Sequence, residues 1–585
     1  MEKLKTFFRE RLKRHPKLER AVRLYVRRRR ARTTGYPDWR SIQGRGPALS
    51  PKAVPPQHTK VLIATSVGSH LPGTSLESVL AAALSLRGAE PHVLLCDGIL
   101  PACLACDVTW YPDQDTFVRH GPTRDLCKHC FDPAAAMYRS LDLTVHTYSG
   151  LVTEAERTEA ARLAAAVPAA EMPDYTMEGL AVGEHALAGT LRFFARATLE
   201  TEPRSEAVLR RYFHAAILTV MATRRLLRTH RYEVAVFHHG IYVPQGLIGE
   251  VCRQEGVRVV TWNPAYRKQC FIFSHGDTYH HTLMNEPTST WEDLPWTPEV
   301  ETELLQYLQS RWHGTQDWIW FHERPQVDVE SISREVGVDF SLPTIGMLTN
   351  VMWDAQLHYP ANAFPNMLEW TLQTIGYFAR RPELQLLIRV HPAELRGTLP
   401  SRQPLVEEIR RAFPILPPNV FVVPPESHVS TYAAMSQCDA VVIYGTKTGV
   451  ELTSMGIPVV VAGEAWIRNK GVTLDATSTA DYFRLLDRLP LGRMLEPAVV
   501  ERARKYAYHF FFRRMIPLEF MTPKSDWPPF AVGLDNGLSG LLPGRSRGLD
   551  VVCDGILTGS SFVYPAEARH GAKAREVAAA GNTLR

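Results

Sequence analysis

Four cysteines set the first chemical expectation. Cys103 and Cys106 form one C-x-x-C pair and Cys127 and Cys130 a second, with 20 residues between the pairs. That spacing is the pattern in which each pair fills two corners of a zinc tetrahedron. Four thiolates leave no open position, so such an ion is structural and pins an insertion spanning residues 96–135. An iron–sulfur cluster uses the same ligand set and is the alternative. Cys96, His120 and His129 lie close in sequence and are substitute ligands.

A second chemical signal is polar or small residues just after apolar, β-branched runs. In "TNVMWDAQLH" Asp354 follows such a run. In "IRVHPAE" Arg389 lies in the run and His391 just beyond it. In "VVIYGTKTGVELTSMGIPVVVAG" the residues Gly445, Thr446, Lys447, Thr448 and Gly449 open a helix that carries Glu451. Glycines admit a ligand close to the backbone, threonines donate hydroxyls, and a helix start favours phosphate. Glu451 is expected to accept hydrogen bonds from sugar or ribose hydroxyls. The loop is neither G-x-x-x-x-G-K-[ST] nor G-x-G-x-x-G, and a plain turn is the competing reading. In "VFHHGIY" His238 and His239 end another run, and with Asp354 they are the candidates for a base; His239 and Asp354 are the catalytic assignments.

The elements that must position these groups alternate. "KVLIATSVGSH", "SLESVLAAALSLRG" and "PHVLLCDG" read as strand, helix, strand, and "YEVAVFHHG" to "VRVVTW" repeats the unit. After residue 339 five short apolar runs alternate with helices, the pattern of a doubly wound sheet. The fold class is therefore α/β, with two Rossmann-like domains facing a cleft. The boundaries expected are an arm at 1–43, a first domain at 58–290, a helical connector at 291–338, a second domain at 339–495, a crossing helix at 496–523 and a tail at 524–585. B-type glycosyltransferases and non-hydrolysing sugar-nucleotide epimerases share this architecture, and both place ligands beyond the carboxyl ends of strands.

The order "RVHPAE", about 50 residues, then "CDAVVIYGTKTGVELTSMGIPVVV" resembles the bacterial capsule polysaccharide biosynthesis family, which includes transferases of 3-deoxy-manno-octulosonate. The resemblance is clearest over residues 343–465 and covers about half of the chain. It implies a nucleotide-sugar donor on the second domain, near Arg389, His391 and the Gly445–Glu451 loop, and a polysaccharide or lipid-linked acceptor. Thr446 or Thr448 stands where relatives often carry Ser. No catalytic metal is expected.

Bulk composition is that of a globular chain: 585 residues, 45% hydrophobic and 22% charged. Its net charge of +5 is uneven, because residues 1–32 hold 14 Lys/Arg against Glu2, Glu10 and Glu19. Leu4, Phe7, Phe8 and Leu12, then Leu18, Val22 and Val26, recur at helical spacing. A basic amphipathic arm suits an anionic membrane surface; nucleic acid is the competing partner for "YVRRRRAR" and a solvated helix the plain one. No apolar run is long enough to span a membrane and no signal-peptide core opens the chain, which places it in the cytoplasm, peripheral at the inner membrane, where disulfides are disfavoured. The leading expectation is a glycosyltransferase. An epimerase or hydrolase of the same fold and a non-catalytic carbohydrate-binding scaffold are the alternatives.

Overall fold

The computed structural model describes residues 35–44, 59–312, 316–318, 325–355, 359–397, 399–524 and 528–570, together with Leu18, Ala21, Val22 and Tyr25. Those four are exposed and helical; the rest of the basic arm lies outside the described residues.

The chain divides into two compact units. The first comprises 1–263, 273–278 and 517–561, the second 264–272, 279–516 and 562–585. This differs from a linear division. Residues 291–338 belong to the second unit, as does the helix Pro497–Tyr508 with its π-helical extension His509–Arg513. Of the segment expected as a tail, residues up to 561 fall in the first unit, where they include the helix Arg547–Thr558, and those from 562 fall in the second.

In the first unit, β1 (Lys60–Ser66), β2 (Glu90–Leu95), β3 (Thr144–Thr147), β4 (Val234–His238) and β5 (Arg258–Pro264) lie in the order β5-β4-β1-β2-β3, with β6 (Cys270–His275) beyond β5. The pairs β1–β2, β1–β4, β2–β3 and β4–β5 are parallel. Val61, Leu62, Ile63 and Ala64 are fully buried, the signature of a strand covered on both faces. The crossover helix Leu71–Ser85 is buried from Pro72 to Leu84 and carries a single charged residue, Glu77. The C-terminal segment packs here. Arg87 donates to the Leu541 carbonyl and pairs with Asp550 at 2.5 Å, and Arg258 donates to the carbonyls of Gly555 and Ile556 on the helix Arg547–Thr558. The Ser546 side chain caps that helix at its start and Gly559, at φ 81°, closes it.

In the second unit, β7 (Thr344–Leu348), β8 (Gln385–Arg389), β9 (Val420–Val423), β10 (Ala440–Ile443), β11 (Val459–Val461) and β12 (Leu474–Asp475) form one sheet in the order β12-β11-β10-β7-β8-β9. All five pairings are parallel. The order reverses direction after β9, so the loops following β7 and β10 open side by side at a topological switch point.

Candidate functional site

The carboxyl ends of β1 and β4 hold a cluster of imidazoles. β1 runs out at Ser66, which has φ 53°, and β4 is followed by His239 at φ 64°. Two non-glycine residues in the left-handed region at adjacent strand ends mark the kind of stored strain that collects at working sites. The loop Val67–Ser69 then delivers His70 to the start of the helix Leu71–Ser85. A methyl at Gly73 would stand 2.7 Å from His70 Nδ1, so only glycine lets the ring fold over the first turn. The rings of His70 and His238 lie 4.6 Å apart between centroids, and His238 lies 4.9 Å from Trp262 and 5.6 Å from His239.

Glu77 sits beneath them, 1% exposed. Trp262 Nε1 donates to its carboxyl at 2.9 Å, while the second carboxyl oxygen has no hydrogen-bond partner among the described residues. Burial raises its pKa to about 7, against the pull of Thr65, Trp262 and the His238 backbone, which favours the carboxylate. Burial of the His70 ring, with the nearby positive charge of Arg192, pushes that imidazole down to about 4. His238 is held well below its ordinary value by burial and by its two histidine neighbours. At neutral pH the site therefore presents two uncharged imidazoles beside a carboxyl poised between its acid and base forms, an arrangement that can take a proton from a hydroxyl. His239, expected from the sequence, belongs to this cluster. His70 and Glu77 were not anticipated; the available signal was a lone acid in a helix whose other positions are small or apolar on every face.

The second unit's strand-end loops look different from expectation. Arg389 is 2% exposed and its guanidinium donates to the carbonyls of Val390, Pro424 and Ser427. It thereby stitches the loops after β8 and β9. His391 Nδ1 accepts from the Ala393 N–H at 3.1 Å, which leaves Nε2 to carry the proton of the neutral ring. Glu394, two residues past Pro392, is buried and raised to about 7 by that burial.

In the Gly445–Glu451 loop, Thr446 Oγ1 accepts from the Thr448 N–H at 3.3 Å and the helix that follows, Thr448–Ser454, is only seven residues long. Lys447 and Glu451 point into the unit. Lys447 Nζ donates to Glu451 at 2.8 Å and lies 4.7 Å from the Tyr266 ring centroid; Arg311 Nε is 3.1 Å from the same carboxylate. Arg311 also binds Asp317, which accepts from Tyr307 as well. Burial acts to raise Glu451, but the Arg311 and Lys447 charges outweigh it and hold the carboxyl at about 2. The two residues expected to meet sugar and phosphate are thus bound into an ion network under the loop. Gly445, Lys447 and Thr448 are the half-buried members of the loop; Thr446, Gly449 and Glu451 are buried.

Asp354 is exposed on the loop after β7, and the helix that follows is capped by Asn366 instead. After β11, Glu464 accepts from the Ala361 N–H at 2.8 Å and faces His281 Nε2 at 3.4 Å, a carboxylate–imidazole pair that sequence reading missed.

The cysteines occupy two segments. The Sγ atoms of Cys103 and Cys106 are 3.9 Å apart, close to the roughly 3.8 Å edge of a zinc–thiolate tetrahedron with 2.3 Å bonds. Cys127 and Cys130 are one turn apart on the helix Arg124–Arg139. Burial, with the neighbouring Cys103 and Cys130 thiols adding to it, pushes the Cys96 thiol up, and Cys106 is raised by its contact with Cys103, by burial and by Cys127. The thiols therefore share one neighbourhood. Among the described residues, however, no three His, Cys, Asp or Glu side chains gather so as to hold a metal; the pair Cys103–Cys106 has ligand spacing and the four-thiol cage expected from the sequence is not assembled. Cys130 Sγ instead accepts from the Ser69 N–H at 3.2 Å, tying its helix to the loop that carries His70.

Neither family models nor curated proteins give a match to this chain. Among solved structures it is similar to KpsC of Thermosulfurimonas dismutans, a β-Kdo 2,4-transferase, at 10% identity and a TM-score of 0.30, over 47% of this chain and 79% of that one. It is also similar to the spinosyn rhamnosyltransferase SpnG, at 14% identity and 0.22 over 77% and 95%. A third is the UDP-GlcNAc 2-epimerase of Neisseria meningitidis, at 9% and 0.23 over 83% and 97%.

Proposed function

We propose that this protein is a glycosyltransferase that moves a sugar from a nucleotide-sugar donor to a hydroxyl of a surface polysaccharide or lipid-linked glycan. The observation that carries the reading is the His70–His238–Glu77 cluster at the carboxyl ends of β1 and β4, where two imidazoles are uncharged at neutral pH. A hydroxyl nucleophile needs a base that is unprotonated at working pH, and this cluster supplies it, with His239 beside it. In the second unit we assign Gly445, Thr448 and His391 to the donor, Arg389, Lys447, Thr446, Gly449 and Glu451 to holding their loops in shape, and exposed Asp354 to the anomeric carbon.

Two further parts belong to the proposal. Cys103, Cys106, Cys127 and Cys130 take a structural zinc, an iron–sulfur cluster being the alternative; the Cys103–Cys106 spacing supports it, and metal content of the purified protein tests it. The basic arm holds the enzyme at an anionic inner-membrane surface. Among the described residues no helix is long and apolar enough to cross a membrane.

The test is a panel of nucleotide sugars, with nucleotide release followed in the presence and absence of glycan acceptor. His70→Ala and His238→Ala are expected to lower acceptor-dependent turnover by roughly 10²- to 10⁴-fold while the far-ultraviolet circular dichroism stays unchanged. Full turnover in both variants overturns the assignment. Release or isomerisation without acceptor turns the reading to the hydrolase or epimerase class.

A further inference from the structure

An arginine next to the imidazole cluster has no counter-charge. Arg192 lies in the last turn of the helix Val182–Phe194, half-buried, and its Nη1 donates to the Leu104 carbonyl at 2.7 Å. Its guanidinium carbon stands 5.6 Å from the centroid of the Tyr242 ring, within cation–π reach. Tyr242 in turn lies 5.3 Å from the His239 ring, and His239 lies 5.6 Å from His238. One aromatic ring thus links the guanidinium to the histidines. Among the described residues no carboxylate pairs with Arg192, and one carbonyl occupies only one of its five donors. Its charge reaches the cluster: after burial it is the chief influence holding His70 low, and it adds to burial and the two histidine neighbours at His238.

The arginine is held in place by the C-x-x-C loop. The Leu104 N–H donates to the Val243 carbonyl at 2.9 Å, and the Tyr212 hydroxyl lies 3.2 Å from the carbonyls of both Cys103 and Cys106. Two residues past Val243, Gln245 opens the helix Gln245–Gln254, whose start no side chain caps. Gln245 is 4% exposed and its Nε2 donates to the Thr65 carbonyl at the end of β1 at 3.2 Å. Because a carbonyl only accepts, that bond fixes which way round the amide sits. Its Oε1 is then turned away and has no donor among the described residues. A buried acceptor without a donor is costly, by about 1–3 kcal/mol, and a ligand hydroxyl would satisfy it.

We propose that Arg192 binds an anionic group of the glycan acceptor, a carboxylate or a phosphate, while Gln245 Oε1 takes one of its hydroxyls, so that the acceptor is an acidic glycan. The identity of the bound molecule rests on the transferase reading: the group beside the base belongs to the molecule that carries the attacking hydroxyl. A planar fork of donors matches the paired oxygens of either anion, and the uncapped helix start favours the same charge.

The full chain is titrated with D-glucuronate and with glycerol phosphate, each against its uncharged analogue, D-glucuronamide and glycerol, and the melting temperature is read, so that neither donor nor turnover is needed. At least one anion should raise the melting temperature of wild type beyond its analogue, and the larger excess identifies carboxylate or phosphate. In Arg192→Gln that excess should shrink, with apparent affinity falling roughly 10- to 100-fold; any phosphate bound in the second unit shifts both proteins alike and cancels. Arg192→Lys, which keeps the charge without the fork, should lie between. No excess for either anion in wild type, or an undiminished excess in Arg192→Gln, overturns the proposal. If Arg192→Gln fails to fold, an undiminished excess in Arg192→Lys overturns it instead. Once a donor is found, Arg192→Gln should raise the KM for acceptor and not that for donor; a rise for donor alone overturns the assignment to the acceptor. A shifted acid limb of the pH profile with anion binding intact would mean that Arg192 only tunes His70, and also overturns it. Absence of turnover with every donor removes the transferase reading and leaves the anion site standing.

Discussion

Glu77 is the residue on which the pH behaviour of the first unit turns. Its folded pKa lies above the ordinary value, at about 7 against 4.5, so the folded state binds more protons than the unfolded one between those values. The stability it contributes is full below pH 4.5 and is lost as pH rises towards 7 and beyond. The gap is worth about 3 kcal/mol at 1.36 kcal/mol per tenfold. Glu77→Gln keeps the shape and the Trp262 contact without the ionisation. It should match wild type in denaturant unfolding near pH 4 and exceed it by up to about 3 kcal/mol at pH 8; a constant difference across that range would mean that the carboxyl is not buried as described. Glu451 runs the other way. Held at about 2, its contribution is present above pH 4.5 and fades only as pH falls towards 2, so the ion network under the Gly445 loop stays intact where Glu77 titrates.

At the scale of elements, the loop between β1 and the helix Leu71–Ser85 is the most tightly specified piece of the first unit. Its Gly68 carbonyl accepts from Tyr36 and Thr74, both at 2.9 Å, and its Ser69 N–H meets Cys130 Sγ. A methyl at Gly68 would overlap the Cys130 carbonyl oxygen and stand 2.6 Å from Ala134 Cβ. Gly68→Ala must therefore push the loop off the helix Arg124–Arg139, and His70 with it. The expected result is a loss of about 1–3 kcal/mol in stability together with a fall in turnover larger than the stability loss accounts for; normal turnover would show that His70 does not depend on this tie. Little of this was legible in the sequence. Strands with continuous apolar runs, such as "KVLIATS" and "DAVVIYG", announce themselves because both their faces are covered. β3, "TVHT", and the two-residue β12 carry no such run. Spacing placed its candidates on the loops after β7, β8 and β10, but it could not say that Lys447 and Glu451 pair with each other and Glu451 with Arg311, which lies 136 residues before Lys447. His70 and Glu77 escaped for the same reason: their meaning comes from Trp262 and His238, brought near by the sheet.

At the scale of the whole molecule, linear division failed where the chain re-enters a unit it had left. Residues 524–585 read as an irregular tail from their Gly and Pro content, yet Leu549, Val552, Cys553 and Ile556 within them are buried in the first unit. Charge is distributed just as unevenly along the chain, and there the linear reading is the useful one. The 14 basic residues of positions 1–32 face three acids, while the remaining 553 residues hold 52 Lys/Arg and 58 Asp/Glu. A body of net negative charge is repelled by an anionic surface, so attraction must come from the arm, at about 1 kcal/mol for each basic residue that reaches the lipid. Removing residues 1–32 should therefore abolish sedimentation with phosphatidylserine-containing vesicles and leave turnover on a water-soluble acceptor unchanged. The full chain should lose vesicle binding steeply between 0.1 and 0.5 M salt, as the screening length falls below about 10 Å. It should ignore neutral phosphatidylcholine vesicles at any salt. Equal binding to both vesicle types, or binding that survives the deletion, would remove the membrane from the account of the arm. Tight, salt-sensitive retention on nucleic acid in preference to anionic vesicles would hand the arm to the competing partner.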